Sequence, residues 1–190
     1  MAHIYIGLVD TPGIFAYIIR RFIKQKYIHV VISMDAHLEE AYSVGRRNPF
    51  IPFFAGFEKE EKEEILGAFP TAEYAVYKLD CEEEQKEKIR QVLYQDMAKR
   101  KSYHYAVIGL IFLVCNKPFY QKNYYTCSSY IAKLLEDNGI RISEKHFSLV
   151  TPKDFYEYPH KQKIFEGPLW KIVGDDAGWR QKHPEVMYEF

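Results

Sequence analysis

In Tyr124-Tyr125-Thr126-Cys127-Ser128-Ser129-Tyr130-Ile131-Ala132 a cysteine stands where an extended aromatic segment gives way to an amphipathic helix. The helix is marked by apolar residues at Tyr130, Ile131, Leu134 and Leu135, and Asn138-Gly139 supplies its stop. A helix N-terminus offers unpaired N–H groups and a partial positive charge, and both favour a thiolate over a thiol. The same N–H groups suit a developing oxyanion. Cys127 is therefore a candidate nucleophile, on condition that a base reaches it from elsewhere in the chain. Without that base it is a small core residue.

Upstream, Tyr27 to Met34 is β-branched and apolar and reads as a strand, with Ile28, Val30 and Ile32 on one face. His29 lies in this strand among residues that bring no polar partner, which makes it the candidate base. Asp35-Ala36-His37 reads as a turn and Leu38 to Val44 as the return strand of a hairpin. A third group is needed to hold the imidazole in one tautomer. Glu40 and Glu39 both lie on the return strand, and alternation places only one of them on the face of His29. Spacing leaves both registers open, and a lone histidine or glutamate in a strand also has an ordinary structural reading.

The remaining chain reads as alternating strands and helices. His3 to Val9 is a strand ending at the turn Asp10-Thr11-Pro12-Gly13, and Ile14 to Ile23 has helical spacing. Gly45-Arg46-Arg47-Asn48-Pro49 breaks the hairpin, Phe50 to Gly56 reads as an ordered aromatic loop, and Glu58 to Glu64 as a solvated charge run. Thr71 to Leu79 is a strand. Asp80 then opens a surface helix striped by Ile89, Val92, Leu93 and Met97. Tyr103 to Cys115 reads as a buried helix, and Thr151 to Phe155 as a capped helical turn. Lys163 to Phe165 and Trp170 to Val173 are strand candidates, and the polar tail from about residue 174 is expected to be loosely held. Strand hairpins with segregated helices argue an α+β fold.

With 190 residues, 47% of them hydrophobic, the chain is sized for one domain spanning 1–190 with a substantial core. Lys+Arg and Asp+Glu both number 26, which argues against a nucleic-acid-coating protein. Cys81, Cys115 and Cys127 form neither an even set nor a pair with metal-ligand spacing, and the histidines do not cluster. Gly13, Gly45 and Gly56 form no phosphate loop, so no metal or cofactor is expected. Ala106 to Cys115, the longest apolar run, falls well short of the roughly 20 residues that span a bilayer. Met1-Ala2-His3-Ile4-Tyr5 lacks the basic and apolar regions of a signal peptide, and a cytoplasmic location is the expectation.

Four stretches taken together resemble the permuted NlpC/P60, or YiiX-like, branch of papain-fold cysteine hydrolases, which is related to lecithin–retinol acyltransferase. Tyr27-Ile28-His29-Val30-Val31-Ile32 is similar to the strand that carries the family's histidine, and Leu38 to Arg46 to the strand after it. Tyr103-His104-Tyr105-Ala106-Val107-Ile108-Gly109-Leu110 resembles the family's helix start, and Tyr125 to Ala132 its nucleophile helix. The family commonly has Glu where this chain has Ser129. The resemblance covers the chain to about Gly167. It implies a circularly permuted papain-like fold, an order His–acid–Cys, and Glu40 rather than Glu39 as the acid.

The activity implied is that of a cysteine hydrolase with Cys127, His29 and Glu40 as its triad, acting on an amide such as a cell-wall peptide. Tyr105 or Tyr5, with Ser128 and Arg46, are the candidates for oxyanion and substrate contacts. The partner expected is a small peptide or acyl substrate. A lipid or thioester acyltransferase or thioesterase on the same triad is the second reading, and a non-catalytic binding module the third. Oligomeric state is not legible.

Overall fold

The computed structural model describes residues 1–12, 17, 20–21, 24–46 and 55–174. Among the described residues there are eight strands: β1 (Ala2–Asp10), β2 (His29–Ser33), β3 (Ala41–Arg46), β4 (Ala55–Lys59), β5 (Glu73–Cys81), β6 (His104–Tyr105), β7 (Tyr124–Tyr125) and β8 (Gln162–Pro168). The helices are α1 (Lys62–Ala68), α2 (Glu83–Ala98), α3 (Val107–Val114), α4 (Cys127–Asp137), α5 (Pro152–Glu157) and α6 (Trp170–Val173). Six strands form one sheet in the order β4-β3-β2-β1-β5-β8, and every neighbouring pair is antiparallel. A parallel ladder of β6 and β7 stands apart from it. The fold is mixed α+β, as expected.

Alternation along the strands divides the core in two. Ile4, Ile6 and Leu8 of β1, Val30 and Ile32 of β2 and Val44 of β3 meet α2 through Ile89 and Leu93, and α4 through Ile131, Leu134 and Leu135. On the other face Val9, Val31 and Val76 meet Leu66 of α1 and Val173 of α6. Helix α4 thus lies across the sheet with all but three of its residues buried, and this fixes where its first residue, Cys127, can stand.

Several elements depart from expectation for local reasons. The return strand begins at Ala41 rather than Leu38, because the Asp35 carboxylate organises a longer turn. Its Oδ1 accepts the N–H groups of His37 at 2.8 Å and Glu39 at 3.2 Å, and its Oδ2 that of Glu40 at 2.8 Å. Burial pushes the Asp35 carboxyl up, but these backbone donors outweigh it and hold it below its usual range. The charge run does not simply face water. Lys62 within it is buried, donating to the His37 carbonyl at 2.9 Å and pairing with Glu39.

β5 runs through Asp80 to Cys81, so the cap of α2 is Glu82, closed reciprocally by Gln85. Trp170 to Val173 is helical rather than extended. The helix expected from Tyr103 begins only at Val107, because His104-Tyr105 pairs as β6, and none of the residues of α3 is buried. Part of the aromatic stretch, Ala55-Gly56, belongs to β4, while 50–54, most of the expected helix at Ile14 to Ile23 and the tail beyond Gly174 lie outside the described residues.

Candidate functional site

The N-terminus of α4 is built by its own sequence. Thr126 is the cap, with extended backbone, and its Oγ1 accepts the Ser129 N–H at 3.1 Å. Ser129 Oγ in turn accepts the Thr126 N–H at 2.8 Å, which closes a capping box with serine in the place of the usual glutamate. Thr126→Ala is expected to lower stability by about 1 kcal/mol. Chemical denaturation measures it, and an unchanged midpoint would show that the cap contributes nothing. Tyr125, just before the cap, is held by a hydrogen bond of 2.9 Å between its hydroxyl and that of Tyr120, and packs edge-on against Tyr130. The aromatic approach to Cys127 is therefore an ordered wall.

β2 and β3 pair only at Ile32–Tyr42 and Ser33–Ala41, whereas β2 pairs with β1 over its whole length. Where β2 is free of β3, the backbone N–H groups of Val30 and of Ser128 act on the sulfur of Cys127 and favour its thiolate. His29, in the same part of β2, is close enough to Cys127 that each shifts the ionisation of the other. Its Nε2 lies 2.9 Å from Glu60 Oε1 and 3.1 Å from Ser43 Oγ, which leaves Nδ1 for the thiol. Ser43 Oγ also donates to Glu60. Gly45 makes room for this group: a Cβ there would stand 3.1 Å from Glu60 Oε1, 3.1 Å from Ser43 Oγ and 3.3 Å from His29 Cε1.

The electrostatics derive from this contact. Burial pushes the Cys127 thiol up, but His29 and the two backbone donors outweigh it and hold the thiol below its ordinary range. Burial pushes His29 down, and the Cys127 thiolate and Glu60 carboxylate outweigh it, raising the imidazole to about 10. Both shifts favour the thiolate–imidazolium form of the pair over the neutral one.

The acid beside His29 is Glu60, not Glu40. Glu40 sits in the turn that the Asp35 carboxylate organises, and its own carboxylate lies 3.7 Å from Arg90 Nε, with Tyr94 nearby, whose hydroxyl pKa it raises. Glu39 is taken by Lys62. Tyr5 is also displaced: it pairs with Ser33, while Val9, four residues along β1, pairs with His29, a separation of about 13 Å along the strand. Tyr105 is in β6 beside Tyr125, close in the chain fold to the start of α4. The Ser128 hydroxyl is committed to the Val150 carbonyl at 2.7 Å, so only its backbone N–H serves the sulfur. Arg46 closes β3, and its side chain lies outside the described residues.

Glu60 escapes sequence reading because the strand before it looks like a loop and the residues around it like a solvated run. The available signal was the alternation Phe57, Lys59 against Glu58, Glu60. The pairing of β4 with β3 extends to a bond from the Glu60 N–H to the Ala41 carbonyl at 2.8 Å, which carries the carboxylate to His29.

A comparison with protein families finds none that matches the chain, and a comparison with curated proteins finds no similar sequence. Among solved structures the fold is similar to that of the metalloprotein yiiX from Escherichia coli O157:H7, with a TM-score of 0.57 and 13% identity, over 87% of this chain and 97% of that one. Among the described residues here no three His, Cys, Asp or Glu side chains are grouped to hold a metal ion. None of the described helices is long and apolar enough to cross a membrane.

Proposed function

We propose that this protein is a cysteine hydrolase of the circularly permuted papain-like (NlpC/P60) kind, with Cys127 as nucleophile, His29 as base and acid, and Glu60 as the group that orients His29. The observation that carries the reading is His29 itself, which lies 2.9 Å from the Glu60 carboxylate and whose ionisation is tied to that of Cys127. The order His29, Glu60, Cys127 places the base and acid before the nucleophile, as the permuted arrangement requires.

The reaction runs in two steps. The thiolate attacks the substrate carbonyl carbon, the carbonyl oxygen takes the electron pair, and the backbone N–H of Cys127 at the start of α4 is the donor nearest in sequence to receive it. Collapse breaks the bond to the leaving amine or alcohol, which takes the proton from His29 and leaves a thioester on Cys127. His29, now neutral, removes a proton from water. The hydroxide attacks the thioester, and thiolate and imidazolium are restored. An amide of a cell-wall peptide or a similar acyl compound is the preferred substrate. A lipid ester or thioester with an alcohol or amine as acceptor is the second reading, favoured by the exposed apolar side chains of α3, a helix tied at its start to Tyr125, two residues before Cys127.

The pH dependence tests the ion pair. Cys127 is a thiolate above its lowered range, and His29 is protonated below about 10. Turnover therefore rises as pH climbs through the thiol's lowered range and falls as His29 loses its proton. Alkylation of the native protein by iodoacetamide should remain fast at mildly acidic pH, where a free thiol with a pKa of about 8.5 has slowed sharply. Alkylation of Cys127 that tracks a free thiol would leave the fold as a binding module.

A further inference from the structure

Helix α3 is apolar on every side, yet Val107, Ile108, Ile111 and Val114 are exposed by 46%, 58%, 65% and 59%. A helix of that composition ordinarily belongs in a core, and a contiguous apolar ridge at the surface marks a place where something else covers it. The charges around it are segregated. No Asp or Glu occurs between Asp96 and Glu136, in a chain that is otherwise evenly balanced. Lys99 and Lys101 lie exposed before the helix, and Lys117 and Lys122 after it, with no ion pair among the described residues. Arg100, between the first two lysines, is matched by Glu58 at 2.8 Å.

We propose that α3 and its basic flanks dock the protein on the surface of an anionic phospholipid bilayer. The apolar ridge enters the acyl boundary and the lysines meet the head groups, the pattern of an interfacial helix that lies in the membrane plane. The helix is too short to span, since crossing takes roughly 20 apolar residues. A second copy of the chain fits less well. A two-fold pairing of this ridge would set lysine against lysine, and an eight-residue helix offers far less than the roughly 800 Å² per partner of a stable interface.

Docking does not depend on the proposed reaction. Where both hold, the reaction happens at the membrane surface: α3 springs from β6, and the Ala106 N–H is bonded at 2.9 Å to the carbonyl of Tyr125, two residues before Cys127.

Co-sedimentation with vesicles of phosphatidylcholine, with and without phosphatidylserine, tests it. The protein is expected to bind the anionic vesicles, to release them as salt is raised, and to bind the neutral ones weakly. Ile108→Glu with Ile111→Glu should reduce binding to background. Lys99→Gln and Lys101→Gln should each lower the partition coefficient about fivefold. Both isoleucines are exposed, so thermal melting should be unchanged; should the double variant not fold, Ile111→Ser carries the same test. Cys127→Ala should bind vesicles like the parent, so a failure of the hydrolase reading and a failure of docking are told apart. No binding to either vesicle overturns the proposal, as does equal binding by the double glutamate variant. A dimer abolished by that variant, with no vesicle binding, also overturns it.

Discussion

Cys127→Ala is expected to leave a folded protein whose turnover of any acyl substrate falls by about 10⁴-fold or more, the scale of loss when a nucleophile is removed from a triad. The parent should accumulate a covalent acyl adduct on Cys127, visible in the intact mass when a slow thioester or activated ester is supplied, and the variant should not. The fold survives because Cys127 is a small buried side chain at a helix start, and alanine fills most of its place. His29 should respond as well: with the thiolate gone, burial meets only Glu60 in opposition, and the imidazole pKa falls. An adduct of equal yield in both proteins would place the chemistry elsewhere, on Cys81 or Cys115.

The second large effect separates two glutamates. Glu60→Gln is expected to lower kcat by about 10³-fold, somewhat less than the loss of about 10⁴ seen when a triad's carboxylate is made an amide elsewhere. The smaller figure reflects Ser43, which also contacts His29 Nε2 and remains to steady the ring. The basic limb of the pH profile should also move down, because Glu60 is one of the groups that raise His29. Glu40→Gln should change kcat by less than about twofold, since that carboxylate faces Arg90 and Tyr94, and surface changes away from a site have small effects. A reversed ranking of the two variants would restore Glu40 as the orienting acid.

The contrast between these glutamates shows which parts of the molecule short-range reading reaches. The helix start at Thr126-Cys127 is legible because capping and apolar spacing act within a few residues. The strand around His29 is legible for a similar reason, its β-branched neighbours. Glu60 meets His29 through two ladders, β2 with β3 and β3 with β4, and no residue near Glu60 signals either pairing. The hairpin assumption failed at one point. A tight turn at Asp35 would have put Glu40 in the strand, but the carboxylate of Asp35 captures three backbone N–H groups and prolongs the turn through Glu40. Composition misleads at α3 as well. A wholly apolar octet reads as core, and whether other elements cover it is a matter of long-range packing that the local pattern does not carry.

The three groups of the site are anchored with unequal firmness. Cys127 rides on a helix sunk in the core and His29 on an inner strand, but Glu60 hangs from the end of β4, outermost in the sheet among the described residues. Outer strands open at lower free energy than the strands they flank. Each brief parting of β4 from β3 takes the Glu60 carboxylate away while Cys127 and His29 stay in place. If the three groups act as proposed, competence is lost by degrees, first with the departure of Glu60 while Cys127 and His29 stay in place, and only later with unfolding of the chain.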